Sequence, residues 1–119
     1  MNKLVWDIPI TTVSEGNCHQ HWRVKHKRHK QQQFFVRMTM SRDIRQVSLP
    51  CHIKLTRIAP MMVDKFDNLP MSLKWVLDAV CDLITPGLKP GRADNNEGIM
   101  VSYSQEKGRL ASVRIEIEY

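Results

Sequence analysis

The sequence predicts a small α+β domain of the mixed α/β kind, with helices packed on one mixed sheet. The predicted order is strand, helix, strand, helix, strand, strand. Three observations lead there. Four short stretches alternate apolar and polar residues at the period of a half-buried strand. Two longer stretches carry helical signals instead, and clusters of Pro, Gly, Asn and Asp punctuate the chain between them. At 119 residues, residues 1–119 form one domain, and a hydrophobic fraction of 42% argues against a disordered chain. There is no repeat and no linker.

Leu4 to Ile10 reads as the first strand, ending near Thr11-Thr12. Ser14-Glu15-Gly16-Asn17 forms a loop with good capping residues. From Cys18 to Met40 there is neither Pro nor Gly, which predicts a long basic helix over about 18–40. Trp22, Val36 and Met40 share one stripe of it, but so do His26, His29 and Gln33. The helix is therefore expected either to break near Gln31-Gln32-Gln33 or to meet something polar. Leu49, Cys51, Ile53 and Leu55 alternate with Pro50, His52 and Lys54, a strand that ends at Ala59-Pro60.

Leu69, Leu73, Val76, Leu77, Val80 and Ile84 make one apolar stripe, predicting a second helix over about 69–84. Asp67 or Asn68 can cap it, Pro70 is tolerated in its first turn, and Pro86-Gly87 stops it. A loop follows from Thr85 to Glu97. Ile99, Val101 and Tyr103, then Val113, Ile115, Ile117 and Tyr119, alternate around a turn at Lys107-Gly108. They predict a hairpin with one solvated face.

The charge is one-sided: 18 Lys plus Arg against 12 Asp plus Glu, a formal net charge of +6. That favours an anionic partner, though a basic surface can also serve solubility alone. Cys18, Cys51 and Cys81 are odd in number and widely spaced, a poor disulfide framework; free thiols in a reducing compartment are expected. No run of about 18 apolar residues offers a membrane span. Asp7 interrupts what would be the apolar core of a signal peptide, so a cytoplasmic protein is expected.

The chemistry concentrates in two places. Asp64-Lys65-Phe66-Asp67-Asn68-Leu69 sets two carboxylates and a carboxamide at a strand-to-helix junction. A hard divalent cation such as magnesium takes oxygen ligands of this kind. In one continuous helix, at about 100° per residue, Asp67, Lys74 and Asp78 fall in a narrow sector beside the apolar stripe. Asp64 and Asp94 lie on flanking loops that can open on the same end of the sheet. The structural alternative is a cap, an i,i+4 pair and a turn.

The second place is His19 to Lys30, with Arg23, Lys25, Lys27, Arg28 and Lys30, four of the five histidines, and Trp22, Phe34 and Phe35 nearby. This pattern suits a phosphate backbone with aromatic rings for packing or stacking. A solvated helix face is the plainer alternative. Cys18, His19, His21 and His26 are zinc-ligand types, but their spacing fits no finger pattern. No glycine-rich phosphate-cradling loop is present.

These residues bear a resemblance to a known family. Ile53-Lys54-Leu55-Thr56-Arg57-Ile58-Ala59-Pro60, Asp64, Asp67-Asn68-Leu69, the helix Lys74-Trp75-Val76-Leu77-Asp78-Ala79-Val80 and Gly91-Arg92-Ala93-Asp94 resemble the RusA-type Holliday-junction endodeoxyribonucleases, especially their small phage-associated relatives. Ile8-Pro9-Ile10 followed by a basic helix is also similar. About half the chain carries the resemblance. It implies a homodimer that cleaves branched DNA in repair and recombination, with magnesium, or manganese in its place, and no small-molecule cofactor.

On that reading Asp64, Asp67 and Asp94 hold the metal, Asp67 and Lys74 act in catalysis, and Arg23, Lys25, Lys27, Arg28, Lys30 and Arg57 hold branched or duplex DNA. Lys65 stands where the family motif has its first Asp, so Asp64 must supply that carboxylate. The later acidic pair is diluted to Asp94-Asn95-Asn96-Glu97. Two other functions compete. One is a non-catalytic nucleic-acid-binding module with a degenerate metal site. The other is a histidine-rich metal-binding or partner-recruiting protein.

Overall fold

The computed structural model describes residues 1–14, 21–86 and 97–119. They form an α+β domain in which a mixed four-stranded sheet carries three helices on one face. Strand β1 (Lys3–Ile8) leads to helix α1 (Trp22–Met40), a 3-10 turn at Ile44–Gln46 and strand β2 (Cys51–Ala59). Helices α2 (Asn68–Ser72) and α3 (Lys74–Ile84) follow, then strands β3 (Ile99–Lys107) and β4 (Ser112–Glu118).

The sheet order is β1-β4-β2-β3. β4 is antiparallel to both neighbours, and β2 and β3 are parallel. Because β1 and β2 both oppose β4, they run the same way, and β1, β2 and β3 all end at one edge of the molecule. The core lies between sheet and helices. Ile8, Ile53, Leu55, Val113, Ile115 and Ile117 come from the sheet, and Val36, Met40, Leu73, Val76 and Val80 from the helices; all are fully buried.

The predicted hairpin does not form. β2 lies between β3 and β4, pairing with β3 from Cys51–Ile99 to Ala59–Lys107 and with β4 on its other side. Alternation along a strand reports which face is buried and carries no information about which strand lies beside it. The connection from β3 to β4 therefore crosses the end of β2. The Gly108 N–H donates to the Ala59 carbonyl at 3.0 Å, and a Cβ on Gly108 would stand only 2.6 Å from Ile58 Cγ2.

The single helix expected over 69–84 is two helices, α2 and α3, with a turn at Leu73. The Ser72 hydroxyl donates to the Leu69 carbonyl at 2.8 Å, the acceptor that a continuing helix would offer to Leu73. The Leu73 N–H turns to Pro70 instead, at 3.2 Å, and the helix restarts where Leu77 N–H reaches Leu73. Leu73 itself points into the core.

α1, by contrast, runs unbroken through its three glutamines. Its polar interruption has a partner: buried Gln32 donates from Nε2 to the Thr11 carbonyl at 3.1 Å. The expected stripe is half right. Val36 and Met40 are buried, but Trp22 is 63% exposed. The His29 ring stacks on Trp75, the second residue of α3, at 4.3 Å. That stack lies two turns into α1, and Trp22 in its first turn stays exposed.

The face of the sheet away from the helices is polar. Arg114 reaches Asp7 on β1 at 3.4 Å and Glu106 on β3 at 3.1 Å. To do so its side chain lies over β2, which leaves Thr56 only 2% exposed and hydrogen-bonded to Ser104 at 2.7 Å. Glu106 above all, with Asp7, pushes the Arg114 guanidinium above its usual pKa.

Candidate active site at the ends of the parallel strands

In open sheets, ligands bind outside the carboxyl ends of parallel strands. Here the segments leaving β1 and β2 meet at that end. The Ser14 hydroxyl, on the segment after β1, donates to Asn68 Oδ1 at 2.6 Å. The loop after β2, which carries Asp64 and Asp67, is pinned at two further points. Arg57 Nη1 donates to the Met61 carbonyl at 2.8 Å. The Gln105 amide, on β3, donates to the Val63 carbonyl at 2.8 Å and accepts from the Val63 N–H at 3.0 Å.

Asp64 does the capping that the sequence assigned to Asp67 or Asn68. Its Oδ2 accepts from the backbone N–H of Asp67 at 2.8 Å and of Asn68 at 3.4 Å. These bonds, that from Asp67 foremost, hold its pKa below the ordinary carboxylate value. Asp67 makes no side-chain cap and its carboxylate is exposed. Using Asp64 as the cap thus leaves Asp67 available to a ligand.

Asp67 and Lys74 line one cleft of about 490 Å³ together with Phe66, Pro70, Met71, Leu77 and Tyr103. An adjoining groove shares Phe66 and Tyr103 and adds Lys65, Leu69, Ser104 and Gln105. Asp78 does not line the cleft. The break at Leu73 resets the helical phase, so the single sector expected for Asp67, Lys74 and Asp78 does not exist. Asp94 and Gly91-Arg92-Ala93 lie outside the described residues. Among the described residues no three His, Cys, Asp or Glu side chains gather closely enough to hold a metal.

Magnesium commonly keeps several waters and takes one or two protein carboxylates beside substrate phosphate. Asp67, with an exposed carboxylate, and Asp64, three residues earlier and partly engaged by backbone, fit that modest donor set in kind. Asp64 does not itself line the cleft, and beyond Asp67 the lining side chains add one oxygen, that of Tyr103, and one cation, Lys74.

The cations of α1 divide by exposure: Arg23, Lys27 and Lys30 face solvent, while Lys25 and Arg28 are half-buried. His21, one of the possible zinc ligands, starts the helix, its Nδ1 accepting from the Arg23 N–H at 3.2 Å. Cys18 and His19 lie outside the described residues. The His29–Trp75 stack brings the basic half of α1 beside the first turn of α3, where Lys74 stands. Arg57 sits near the end of β2, half-buried, and among the described residues its buried Nε has no hydrogen-bond partner. Burial lowers its pKa, and its contact with Met61 ties it to the loop.

Tyr103 and Gln105 were not singled out from the sequence as site residues. A signal existed for Gln105: it continues the alternation Ile99, Val101, Tyr103 and is the polar member of an otherwise apolar row.

Among the described residues no helix is long and apolar enough to cross a membrane. No family model matches the chain, and no curated protein or solved structure matches it.

Proposed function

We propose that the protein is a magnesium-dependent, structure-selective DNA endonuclease of the RusA-like kind, working in the cytoplasm as a homodimer on branched or duplex DNA. One observation carries the reading: exposed Asp67 and Lys74 share a cleft between α2, α3 and Tyr103 of edge strand β3, on a chain whose other helix, α1, is strongly cationic. Asp67 and Asp64 would hold the metal, with Asp94 as a third ligand. When bound, the metal supplies Lewis-acid polarisation of the phosphoryl oxygen and a more acidic water.

The chain's own residues do the rest. Lys74 offers an ammonium to the charge that develops on the phosphate. Arg23, Lys25, Lys27, Arg28 and Lys30 hold the backbone by charge, which makes binding salt-dependent. A two-fold dimer would present two equal sites to a two-fold branched substrate.

A second reading has an observation of its own. The Asp64 carboxylate is used as a helix cap, and the described residues hold no three-acid group. This favours a non-catalytic nucleic-acid-binding module on the same fold. Cleavage of a labelled synthetic four-way junction in magnesium, manganese or EDTA, beside linear duplex and an Asp67→Asn variant, separates the two. Metal-dependent cutting that disappears in Asp67→Asn supports the nuclease. Salt-sensitive binding without cutting in either metal, unchanged in the variant, supports the module.

A further inference from the structure

The outer face of α1 holds a feature that phosphate binding alone does not explain. Trp22 is 63% and Phe34 58% exposed, and both line a shallow groove with Arg23, His26, Lys27, Lys30 and Gln31. Exposed aromatic rings are costly in water, and here they alternate with cations along one surface.

The rings stand twelve positions apart, about 18 Å along the helix axis at ~1.5 Å per residue. That separation is too long for one ligand ring to bridge. It matches a short polymer segment of a few linked nucleotides. Arg23, Lys27 and Lys30 lie between the rings, where the linking phosphates would run. The Arg23 guanidinium also sits 5.5 Å from the Trp22 ring centre, which holds that ring beside a positive charge.

Charge selects the occupant. α1 carries Arg23, Lys25, Lys27, Arg28, Lys30 and Arg37 and no acidic residue. A second copy docked through this face would set cations against cations. A polyanion is attracted, and only one with exposed rings uses Trp22 and Phe34. In an intact duplex the base faces are already stacked on one another. In a single strand they are free, and stacking on aromatic side chains with nearby cations is the usual way such strands are held.

We infer that the outer face of α1 is a binding rail for single-stranded nucleic acid, with Trp22 and Phe34 as stacking platforms and Arg23, Lys27 and Lys30 as phosphate contacts. This rests on the nucleic-acid reading above and deepens it. The favoured substrate is then a branched DNA with an unpaired arm, such as a flap or a gapped fork, over a continuous duplex.

The test is fluorescence anisotropy of the full chain with labelled oligothymidylate, a duplex of equal length and a duplex with an unpaired arm. EDTA is present so that binding is read without cleavage. Single strand and armed duplex are expected to bind more tightly than plain duplex. Trp22→Ala and Phe34→Ala should each weaken single-strand binding about tenfold, with duplex binding within about twofold. Trp22→Phe, which keeps a ring, should retain most of the affinity. Lys27→Ala with Lys30→Ala should weaken all three ligands and flatten the salt dependence.

The rail is overturned if duplex competes equally with single strand, or if both alanine variants bind single strand like the parent. It is also overturned if Trp22→Ala instead turns a dimer into a monomer in sedimentation, because the face would then be a contact between copies. If the ring variants have no effect while salt-dependent duplex binding persists, the rail falls and the nucleic-acid reading stands. Absence of any binding at low salt removes both.

Discussion

Gln105 offers the sharpest test of how the acidic loop is held. Its amide makes both hydrogen bonds available at Val63, at 2.8 and 3.0 Å, and so joins β3 to the segment that carries Asp64 and Asp67. Gln105→Leu keeps the volume and removes both partners. At about 1 kcal/mol net per hydrogen bond, the clamp contributes about 2 kcal/mol, and less where water reaches the half-buried site. That corresponds to roughly a ten- to thirty-fold change in the local opening equilibrium.

Native-state hydrogen exchange at the Val63 amide is the assay. Its protection is expected to fall by about that factor in Gln105→Leu, with core amides such as Ile115 changed only by the global difference in stability. Gln105→Glu keeps an acceptor for the Val63 N–H and sets a carboxylate oxygen against the Val63 carbonyl. It should preserve more of the Val63 amide protection than leucine does. Wild-type exchange at Val63 in Gln105→Leu would refute the clamp. If the loop carries metal ligands, the leucine variant should also need more magnesium for cleavage.

Other expectations are independent of that one. Gly108→Ala should destabilise by about 1–3 kcal/mol through the clash with Ile58, and Ile58→Ala in the same chain should remove most of the extra cost, read by a thermal-unfolding double-mutant cycle. Ile53→Ala, in the fully buried row of β2, should cost about 2–5 kcal/mol in urea unfolding. Asp64 should titrate below the ordinary carboxylate range by carbon-detected NMR. Its depressed pKa means that its contribution to the α2 cap is complete above the unfolded value and is lost as pH falls through the lower folded value; titration at or above the ordinary value would count against the cap.

Local pattern predicted the strands and the two helical regions because alternation and helical stripes are set by which face meets the core. Neighbour relations were not legible in that way. Nothing in Val113, Ile115 and Ile117 distinguishes pairing with β3 from insertion between β1 and β2. Gly108 marked a turn, but its close approach to Ile58 depends on β2 passing beneath. At the break at Leu73 the Ser72 hydroxyl bonds the Leu69 carbonyl, a local competition that the apolar stripe does not report. In the site, residue types pointed to Asp67 and Lys74, and folding sets both on one cleft. The exchange of roles between Asp64 and Asp67 was hidden because either carboxylate can cap a helix. The loop holding Asp94 lies outside the described residues.

The place of β4 in the sheet has a consequence for synthesis. β1 is made before the other described strands, yet among the described residues its strand partner is β4, with Lys3 opposite Glu118. The β2–α2–α3–β3 unit can begin to assemble from nearby contacts. β1 must wait until β4 is made, its Trp6 and Ile8 without their sheet, and loop closure over that separation slows folding. β4 is the last of the four described strands to be made, and it joins β1 to the β2–α2–α3–β3 unit. During that interval the edges of β1 and β2 that will accept β4 are open, and they are where a chaperone or a second nascent chain would engage this protein.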